Sequence, residues 1–329
     1  MNAFEYAAPE NEREVLELLS SQRGTTAVLA GGTDLIGLMK KMIVTPERVV
    51  SLKNVESLQS IDADSQGVRY GAMVSLEQLH DHPATLNYPA LWQAVHGIAS
   101  LQFQSQGTLG GELCQRPRCW YFRDGHGLLA DHGRRVAEGD SRFHAIFGNA
   151  GPAKFVSPSR LAPALIALSA SVRVIGPEHG DEAVMPIEDL FRTPKREHES
   201  EHVLEPNQIV AQVILPAADG RLSANYEVHH GSGQDYPLVT AAAAIMVEQG
   251  VVREARVVLG QVAPTPWISH EAAGALVGLP LNEETAAIAG DAAVSVASPL
   301  TGNEYKVQLA RVAIKRALLA AAGLETGGF

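Results

Sequence analysis

Residues 29–35 read Leu-Ala-Gly-Gly-Thr-Asp-Leu, and this stretch decides the organisation of the N-terminal part of the chain. The apolar run 25–29 before it predicts a short buried strand, and the apolar segment 35–42 after it predicts a helix. Paired glycines at the turn let backbone N–H groups face outward and approach an anion such as a pyrophosphate. The residues 29–35 match neither the Gly-x-Gly-x-x-Gly fingerprint nor a P-loop. A turn without any ligand could have the same sequence.

A second glycine pair occurs in residues 107–113, Gly-Thr-Leu-Gly-Gly-Glu-Leu, again after a predicted helix. Two such loops could hold a diphosphate that links two heterocycles, with little help from basic side chains. Two unrelated turns are the alternative interpretation. The residues alone leave both open.

Composition restricts the class of protein. The chain has 329 residues, a formal net charge of −11 and 46% hydrophobic residues, so it can bury real cores, and disorder of its bulk is excluded. An acidic chain without a basic cluster is not expected to bind nucleic acid. The N-terminus lacks the features of a secretory signal, and no apolar run approaches the length of a membrane span. With only two cysteines, the sequence predicts a protein of the cytoplasm, without membrane association.

The pattern of elements divides the chain. The first hundred residues predict mixed helices and strands, and a polar, Arg/His/Gly-rich stretch from Cys114 to Pro158 then interrupts a domain. A different pattern begins near Ser223, where two predicted strands, 238–247 and 251–262, meet at a Gln-Gly turn. Predicted helices follow at 267–277, 282–295 and 303–322.

Catalytic and metal-binding patterns are sparse. Cys114 and Cys119 are two thiolates where an iron–sulfur cluster usually needs four, so we expect no cluster in this chain. His126, His132 and His144 could in principle complete a zinc site, but the spacing is irregular, and free, partly buried thiols are the default. No nucleophile motif occurs, and no catalytic residue is nominated. Four other histidines are interpreted as solvated loop residues: His198, His202, His229 and His230.

Six motifs occur here in the same order as in one known family. Besides the two glycine loops, these are Ser-Pro-Ser at 157–159, Asp-Tyr-Pro-Leu-Val at 235–239, Val-Leu-Gly-Gln-Val-Ala-Pro-Thr-Pro-Trp at 258–267 and Asn-Glu-Tyr-Lys-Val at 303–307. The sequence resembles the FAD-binding medium subunit of the molybdenum hydroxylases, the xanthine dehydrogenase, carbon monoxide dehydrogenase and aldehyde oxidoreductase family. The stretch 114–155 is similar to an insertion of the aldehyde oxidoreductase branch, some members of which carry a [4Fe-4S] cluster there.

The resemblance implies an α+β fold. Residues 1–220 would form a PCMH-type, vanillyl-alcohol-oxidase-like FAD-binding domain in two lobes, about 1–55 and 56–220, with the insertion at about 114–156. Residues 223–329 would form a C-terminal domain of antiparallel sheet and helices, as in the carbon monoxide dehydrogenase flavoprotein.

The resemblance also implies the cofactor site. FAD would be held by both glycine loops and by residues of two later motifs. These are Leu29, Ala30, Gly31, Gly32, Thr33, Asp34 and Leu35, then Gly107, Thr108, Leu109, Gly110, Gly111 and Glu112, and finally Ser159, Arg160 and Tyr236.

The implied function is that of an oxidoreductase subunit in a heterotrimer with a molybdopterin-binding large subunit and a [2Fe-2S] small subunit. Its FAD would accept electrons from the iron–sulfur partner and pass them to an external acceptor. Three features depart from the family pattern: Glu112 stands where Asn or Asp is usual, Arg160 where many members have Asp, and His-His-Gly-Ser-Gly at 229–233 where basic residues are usual. They motivate a second hypothesis, a flavin-free scaffold subunit. A stand-alone flavin oxidoreductase is the third.

Overall fold

The computed structural model describes residues 1–231 and 235–327. Its first part contains β1 (Glu5–Ala7), α1 (Glu12–Leu18), β2 (Thr26–Leu29), α2 (Leu35–Lys40) and β3 (Arg48–Ser51). The three strands form a parallel sheet in the order β1-β3-β2. The sequence therefore predicted the strand, glycine turn and helix around residues 29–35 correctly.

Five antiparallel strands form the second sheet, in the order β4-β5-β8-β6-β7. They are β4 (Ile61–Asp64), β5 (Gly67–Gly71), β6 (Ser171–Ile175), β7 (Glu182–Pro186) and β8 (Ile209–Pro216). Short 3-10 helices occupy Glu56–Leu58, Pro83–Asn87 and Ile187–Leu190.

Between β5 and β6 the chain leaves this sheet and forms helices. Ser75 caps the first of them with both hydrogen bonds of a capping box. The helices are α3 (Leu76–Asp81), α4 (Pro89–His96), α5 (Leu101–Gln106), α6 (Leu109–Leu113), α7 (Trp120–Arg123), α8 (Arg134–Glu138) and α9 (Ala162–Ala167).

The polar stretch 114–156 has a small hydrophobic core of its own. Helices α7 and α8 lie within it, and its apolar side chains pack against Leu38 of α2. This packing fixes the insertion against the end of the first glycine loop. The buried side chains of the insertion in this cluster are Phe122, Leu128, Leu129, Ala153 and Phe155.

The third sheet has the order β12-β11-β10-β9 and is covered by three helices. None of the helices in the described part of the chain is long and apolar enough to cross a membrane. The elements are β9 (Leu222–Val228), β10 (Val239–Glu248), β11 (Val251–Gly260), β12 (Trp267–Ile268), α10 (His270–Leu276), α11 (Glu283–Val294) and α12 (Tyr305–Ala321).

One helix begins later than the sequence predicted. Trp267 pairs with Leu259 as a strand residue, and α10 begins only after Ser269, whose hydroxyl accepts from the N–H of Ala272 at 3.2 Å. The predicted helix at 267–277 was therefore wrong over its first residues. The physical reason is that the last apolar pair before the cap completes the edge of the third sheet, where Trp267 stacks on Phe147 with ring centroids 5.2 Å apart.

Strand β10 is buried on both faces because its centre is a run of alanines. Ala242 and Ala244 belong to the core shared with α4 and α9, whereas Ala241 and Ala243 face the core beneath α11 and α12. Small side chains let helices approach the sheet closely from both sides. The third sheet is thereby packed against the rest of the molecule.

The Asn-Glu-Tyr-Lys-Val motif at 303–307 ties the insertion to the C-terminal helix. The Nδ2 of Asn303 donates to the backbone carbonyl oxygens of His144, at 3.0 Å, and Ala145, at 3.2 Å. The Nζ of Lys306 donates to the carbonyl oxygens of His144 and Gln261, at 3.3 and 2.5 Å. Lys306 is fully buried, and burial lowers its pKa to about 7.

We predict that Lys306→Met removes part of the pH dependence of stability. Between about pH 7 and the ordinary lysine pKa near 10.4, the unfolded chain binds more protons at this site than the folded chain. The free energy of unfolding of the unsubstituted protein should therefore rise across this range by up to about 1.4 kcal/mol per pH unit more steeply than that of the variant. Urea unfolding of both proteins at several pH values measures the two slopes, and equal slopes would contradict the prediction.

Candidate functional site

The first glycine loop presents unused backbone donors. Strand β2 ends at Leu29, Gly32 has a φ of +74°, and α2 begins at Leu35. The N–H groups of residues 31–34 donate to no acceptor among the residues that the structure describes. Unpaired backbone donors are costly unless water or a ligand satisfies them. This loop therefore has the donor set expected of an anion site.

In the second glycine loop, unlike the first, the N–H groups of the paired glycines donate to acceptors within the protein. The N–H of Gly110 donates to the carbonyl oxygen of Ala72 at 2.8 Å, and a Cβ at Gly110 would lie 2.8 Å from the Cβ of Ala72. The N–H of Gly111 donates to Oγ1 of Thr108 at 3.2 Å. The expectation that both glycine pairs offer free backbone donors is therefore wrong for the second pair, because these glycines allow α6 to pack against the end of β5.

The two loops touch each other. A Cβ at Gly31 would lie 1.7 Å from the carbonyl oxygen of Gln106, so only glycine permits the approach. A Cβ at Gly111 would come within 3.6 Å of the Cβ of Ala30. Residues about 75 positions apart in sequence thus form one wall of a single cavity.

Seven of the sixteen predicted residues line this cavity. The lining residues are Thr33, Asp34, Gly107 and Gly111 from the two loops, together with Glu112, Arg160 and Tyr236. Leu29, Ala30, Gly31, Gly32, Leu35, Thr108, Leu109, Gly110 and Ser159 do not line it.

The sequence analysis missed two further parts of the wall. One is apolar and consists of Leu76, Ile98, Ala99 and Phe103. Phe103 is 43% exposed and alternates with glutamines in helix α5, and an apolar residue in such a context was the available signal. The other part consists of Gln115 and Arg118, which come from the insertion.

Glu112 is held by the protein itself. Its carboxylate accepts from the hydroxyl of Ser159 at 2.6 Å and from the backbone N–H of Arg160 at 2.5 Å, and Nε2 of Gln115 donates to it at 3.1 Å. Burial raises the pKa of Glu112, although the hydrogen bonds from Ser159 and Arg160 oppose the shift. The side chain joins α6 to the turn before α9, so its hydrogen-bonding oxygens are already occupied.

Arg160 is also matched within the protein. Its guanidinium forms a two-pronged ion pair with Glu227, with Nε 3.0 Å from Oε1 and Nη2 in contact with Oε2. The Nε2 of His229 lies 3.1 Å from the same carboxylate. Burial pushes the pKa of Glu227 upward, but the hydrogen bonds from His229 and Arg160 outweigh it and hold the pKa below its usual value. His229 is therefore part of a buried ion cluster, which corrects its interpretation as a solvated residue.

Asp34 anchors the insertion to the first glycine loop. Its Oδ2 accepts from the backbone N–H of Arg116 at 2.8 Å, and its Oδ1 lies 2.8 Å from Nη1 of Arg123. Tyr236 reaches the same region, where its hydroxyl donates to Oε1 of Gln115 at 2.9 Å. The insertion therefore forms one side of the cavity.

The two cysteines are free thiols. Burial raises the pKa of Cys114 to about 12 and also raises the pKa of Cys119, whose Sγ lies 3.1 Å from Nε2 of His144. Burial and nearby Lys306 lower the pKa of His144 to about 4, so this pair is neutral near pH 7. Within residues 1–231 and 235–327 no three His, Cys, Asp or Glu side chains are grouped so that they could hold a metal ion.

His202 does not lie in solvent as the sequence analysis expected. It is 6% exposed, its Nε2 lies 3.0 Å from the carbonyl oxygen of Leu113, and its ring is 5.5 Å from that of Phe191. Burial lowers the pKa of His202. The loop around it therefore packs onto the C-terminal end of α6, and the polar composition of residues 193–205 concealed this.

The cavity, about 70 Å³ in volume, admits only part of a flavin dinucleotide, but its walls carry two features that this cofactor requires. Four consecutive free N–H groups are suitable donors for a diphosphate, and the apolar wall is suitable for a planar heteroaromatic ring. Thr33 and Asp34, the two of these four residues that line the cavity, share its lining with the apolar wall.

Comparison with known proteins gives consistent results. Residues 2–218 match a family described as the FAD binding domain in molybdopterin dehydrogenase, and residues 224–321 match the CO dehydrogenase flavoprotein C-terminal domain. The chain is 32% identical, over 94% of its length and 96% of the relative, to the aldehyde oxidoreductase FAD-binding subunit PaoB of Escherichia coli. It is 26% identical to the carbon monoxide dehydrogenase medium chain of Hydrogenophaga pseudoflava, over 97% of this chain and 96% of the relative. A solved structure of that carbon monoxide dehydrogenase, lacking the Mo-pyranopterin moiety, superimposes with a TM-score of 0.77 at 26% identity over 98% of both chains.

We predict that Gly31→Ala separates the two loops. The new methyl group would overlap the Gln106 carbonyl, so the variant should lose about 1–3 kcal/mol of unfolding free energy and most of its flavin. Gly37→Ala is the matched control, because a Cβ there meets nothing within 4 Å and alanine favours the helix. Urea unfolding and FAD content measure both effects, and a Gly31→Ala protein with normal flavin content would count against the arrangement.

A second prediction concerns the buried ion pair. Glu227→Ala leaves Arg160 buried without its carboxylate and should cost about 3–5 kcal/mol of unfolding free energy. The double variant Arg160→Met/Glu227→Ala should recover a large part of that loss, because it removes the unmatched charge as well. A double-mutant cycle by urea unfolding tests this, and additive single effects would argue against the coupling.

Proposed function

This chain belongs to the FAD-binding medium subunits of the molybdenum hydroxylase family, and we propose from that premise that it transfers electrons from an iron–sulfur partner subunit to an external acceptor. The protein is an oxidoreductase subunit with FAD as its cofactor. The observation that supports the proposed site is one cavity lined both by residues with free N–H groups, Thr33 and Asp34, and by an apolar wall.

We assign the binding of FAD to residues predicted from the sequence and to the apolar wall that the structure adds, with different roles. Residues 31–34 would bind the diphosphate, and Leu76, Ile98 and Phe103 would contact the ring and exclude water. FAD, when bound, supplies the redox chemistry, and the protein orients it and controls its surroundings. Gly110 and Glu112 would act indirectly, by holding the second loop in place.

We also propose the division into an FAD-binding domain at 1–220 and a C-terminal domain at 223–329. The lobes would meet at the contact between Gly31 and Gln106, because residues 1–55 carry the first loop and residues 56–220 the second. The cavity lies at this junction, where flavin sites built from two lobes are expected.

The proposed partners follow from the relatives, several of which are named as medium chains or FAD-binding subunits of dehydrogenases. We propose a cytoplasmic heterotrimer with a molybdopterin-binding large subunit and a [2Fe-2S] small subunit. Two of the three observations that motivated a flavin-free scaffold lose their force, since Glu112 and Arg160 are bonded within the protein and neither carries a free charge into the cavity.

The experiment begins with the complex purified through a tag on this chain. Heat release and chromatography should give about one FAD per chain, together with two copurifying subunits that contain molybdenum and iron. A flavin-free complex that also rejects added FAD would contradict the assignment.

The electron path needs a separate measurement. The complex is stripped of FAD, its iron–sulfur centres are reduced anaerobically with dithionite, and their reoxidation by NAD⁺ or a quinone is followed. We expect reoxidation to slow at least about tenfold without FAD and to recover when FAD is restored, since the flavin is the proposed exit. An unchanged rate would show that electrons leave by another route.

A further inference from the structure

The charged residues that line the cavity differ in how fully neighbouring groups balance their charges. The charged side chains among its described lining residues are Asp34, Glu112, Arg118 and Arg160. Arg160 is paired with Glu227, and Asp34 is paired with Arg123 at 2.8 Å. Glu112 accepts its hydrogen bonds from Ser159 and from a backbone N–H. Among these four residues, Arg118 is the one whose charge none of these pairings balances.

The polar contacts of Arg118 are incomplete. Its Nη1 lies 3.5 Å from Oδ1 of Asp34, which is a long contact, and its Nη2 donates at 3.1 Å to the neutral Oε1 of Gln115. Its Nε is buried and has no hydrogen-bond partner within the described chain. A buried guanidinium nitrogen without an acceptor is unfavourable, and a ligand oxygen would correct this.

The guanidinium is nevertheless held in position. It lies over the ring of Tyr236, with Cζ 4.8 Å from the ring centroid, and the hydroxyl of Tyr236 donates to Gln115. Stacking on an aromatic ring restricts an arginine that would otherwise sample many rotamers. Arg118 is therefore a positioned cation with free donor capacity, at the cavity wall that also carries Thr33 and Asp34.

We propose that Arg118 binds the diphosphate of FAD, so that the insertion supplies the cation of the cofactor site. This inference rests on the proposed function. The free N–H groups of residues 31–34 supply neutral donors, and the nearby carboxylate of Asp34 would repel a diphosphate if it were unmatched. Arg123 neutralises Asp34, and Arg118 adds the positive charge that a phosphate requires. The insertion thereby has a role in cofactor binding that requires no iron–sulfur cluster.

The test uses the full chain, freed of flavin and titrated with FAD by the quenching of flavin fluorescence. The variants are Arg118→Met, which keeps an unbranched side chain over Tyr236, and Arg118→Lys, which keeps the charge but loses the planar fork. Arg135→Met is the matched control, because Arg135 is exposed on α8 of the same insertion and does not line the cavity. Each titration is repeated at several salt concentrations.

We expect Arg118→Met to bind FAD about 10- to 100-fold more weakly, the range for loss of a charge-assisted hydrogen bond. The FAD affinity of Arg118→Lys should lie between those of Arg118→Met and the unsubstituted protein. The FAD affinity of Arg135→Met should equal that of the unsubstituted protein. Added salt should weaken FAD binding less in Arg118→Met than in the unsubstituted protein, because the screened charge is gone.

The outcomes separate this inference from the proposed function. If Arg118→Met binds FAD within about twofold of the unsubstituted protein, or if both Arg118 variants weaken binding equally with an unchanged salt dependence, Arg118 does not bind the diphosphate. The proposed function survives that result, because the unsubstituted chain still binds FAD. If the unsubstituted chain rejects FAD, the proposed function itself fails.

Discussion

The approach of Gly31 to the carbonyl oxygen of Gln106 is the constraint on which the site depends. It joins the parallel three-stranded sheet to the helices that connect β5 and β6 of the antiparallel sheet, and no larger residue fits at this point. The cavity, its free N–H groups and its apolar wall all follow from this contact. The hydrogen bonds of Gly110 and Glu112 then fix the second loop from behind. Loops contributed by two different sheets thus act as one binding wall.

The insertion extends this arrangement. Although its composition is polar, it has a buried core against Leu38. Its Arg116 and Arg123 also contact Asp34 of the first loop. At its far end, Asn303 and Lys306 bind the backbone at His144. One segment therefore connects the cofactor loop to the C-terminal helix. The two thiols within it are uncharged parts of this packing.

Local patterns predicted much of this fold. The turn around Gly31 and Gly32, the cap at Ser75 and the hairpin at Gln249 depend on nearby residues, and the sequence shows them directly. The features that it did not show depend on distant partners. Strands such as β1 and β7 are short and largely exposed, so they carry no apolar alternation, and their pairing comes from the neighbouring strand.

The site residues divide in the same way. Asp34 and the glycines belong to a recognisable motif, whereas Arg118 and the apolar wall acquire their meaning only when the chain is folded. His202 was misjudged because a polar neighbourhood in sequence became a buried neighbourhood in space. Burial of a single polar residue in a loop depends on what packs over it, and local composition does not contain that information.

The alanines of β10 have a consequence for how a cofactor could enter. Because both faces of this strand are packed against helices, opening the molecule between its major parts would expose Ala242 and Ala244 together with the cores they share with α4 and α9. Hinge-like opening is therefore costly. Arg118 and Tyr236, which stack at the insertion, belong to neither of these cores. Flavin exchange would then be governed by a local opening beside Arg118, while the rest of the fold stays closed.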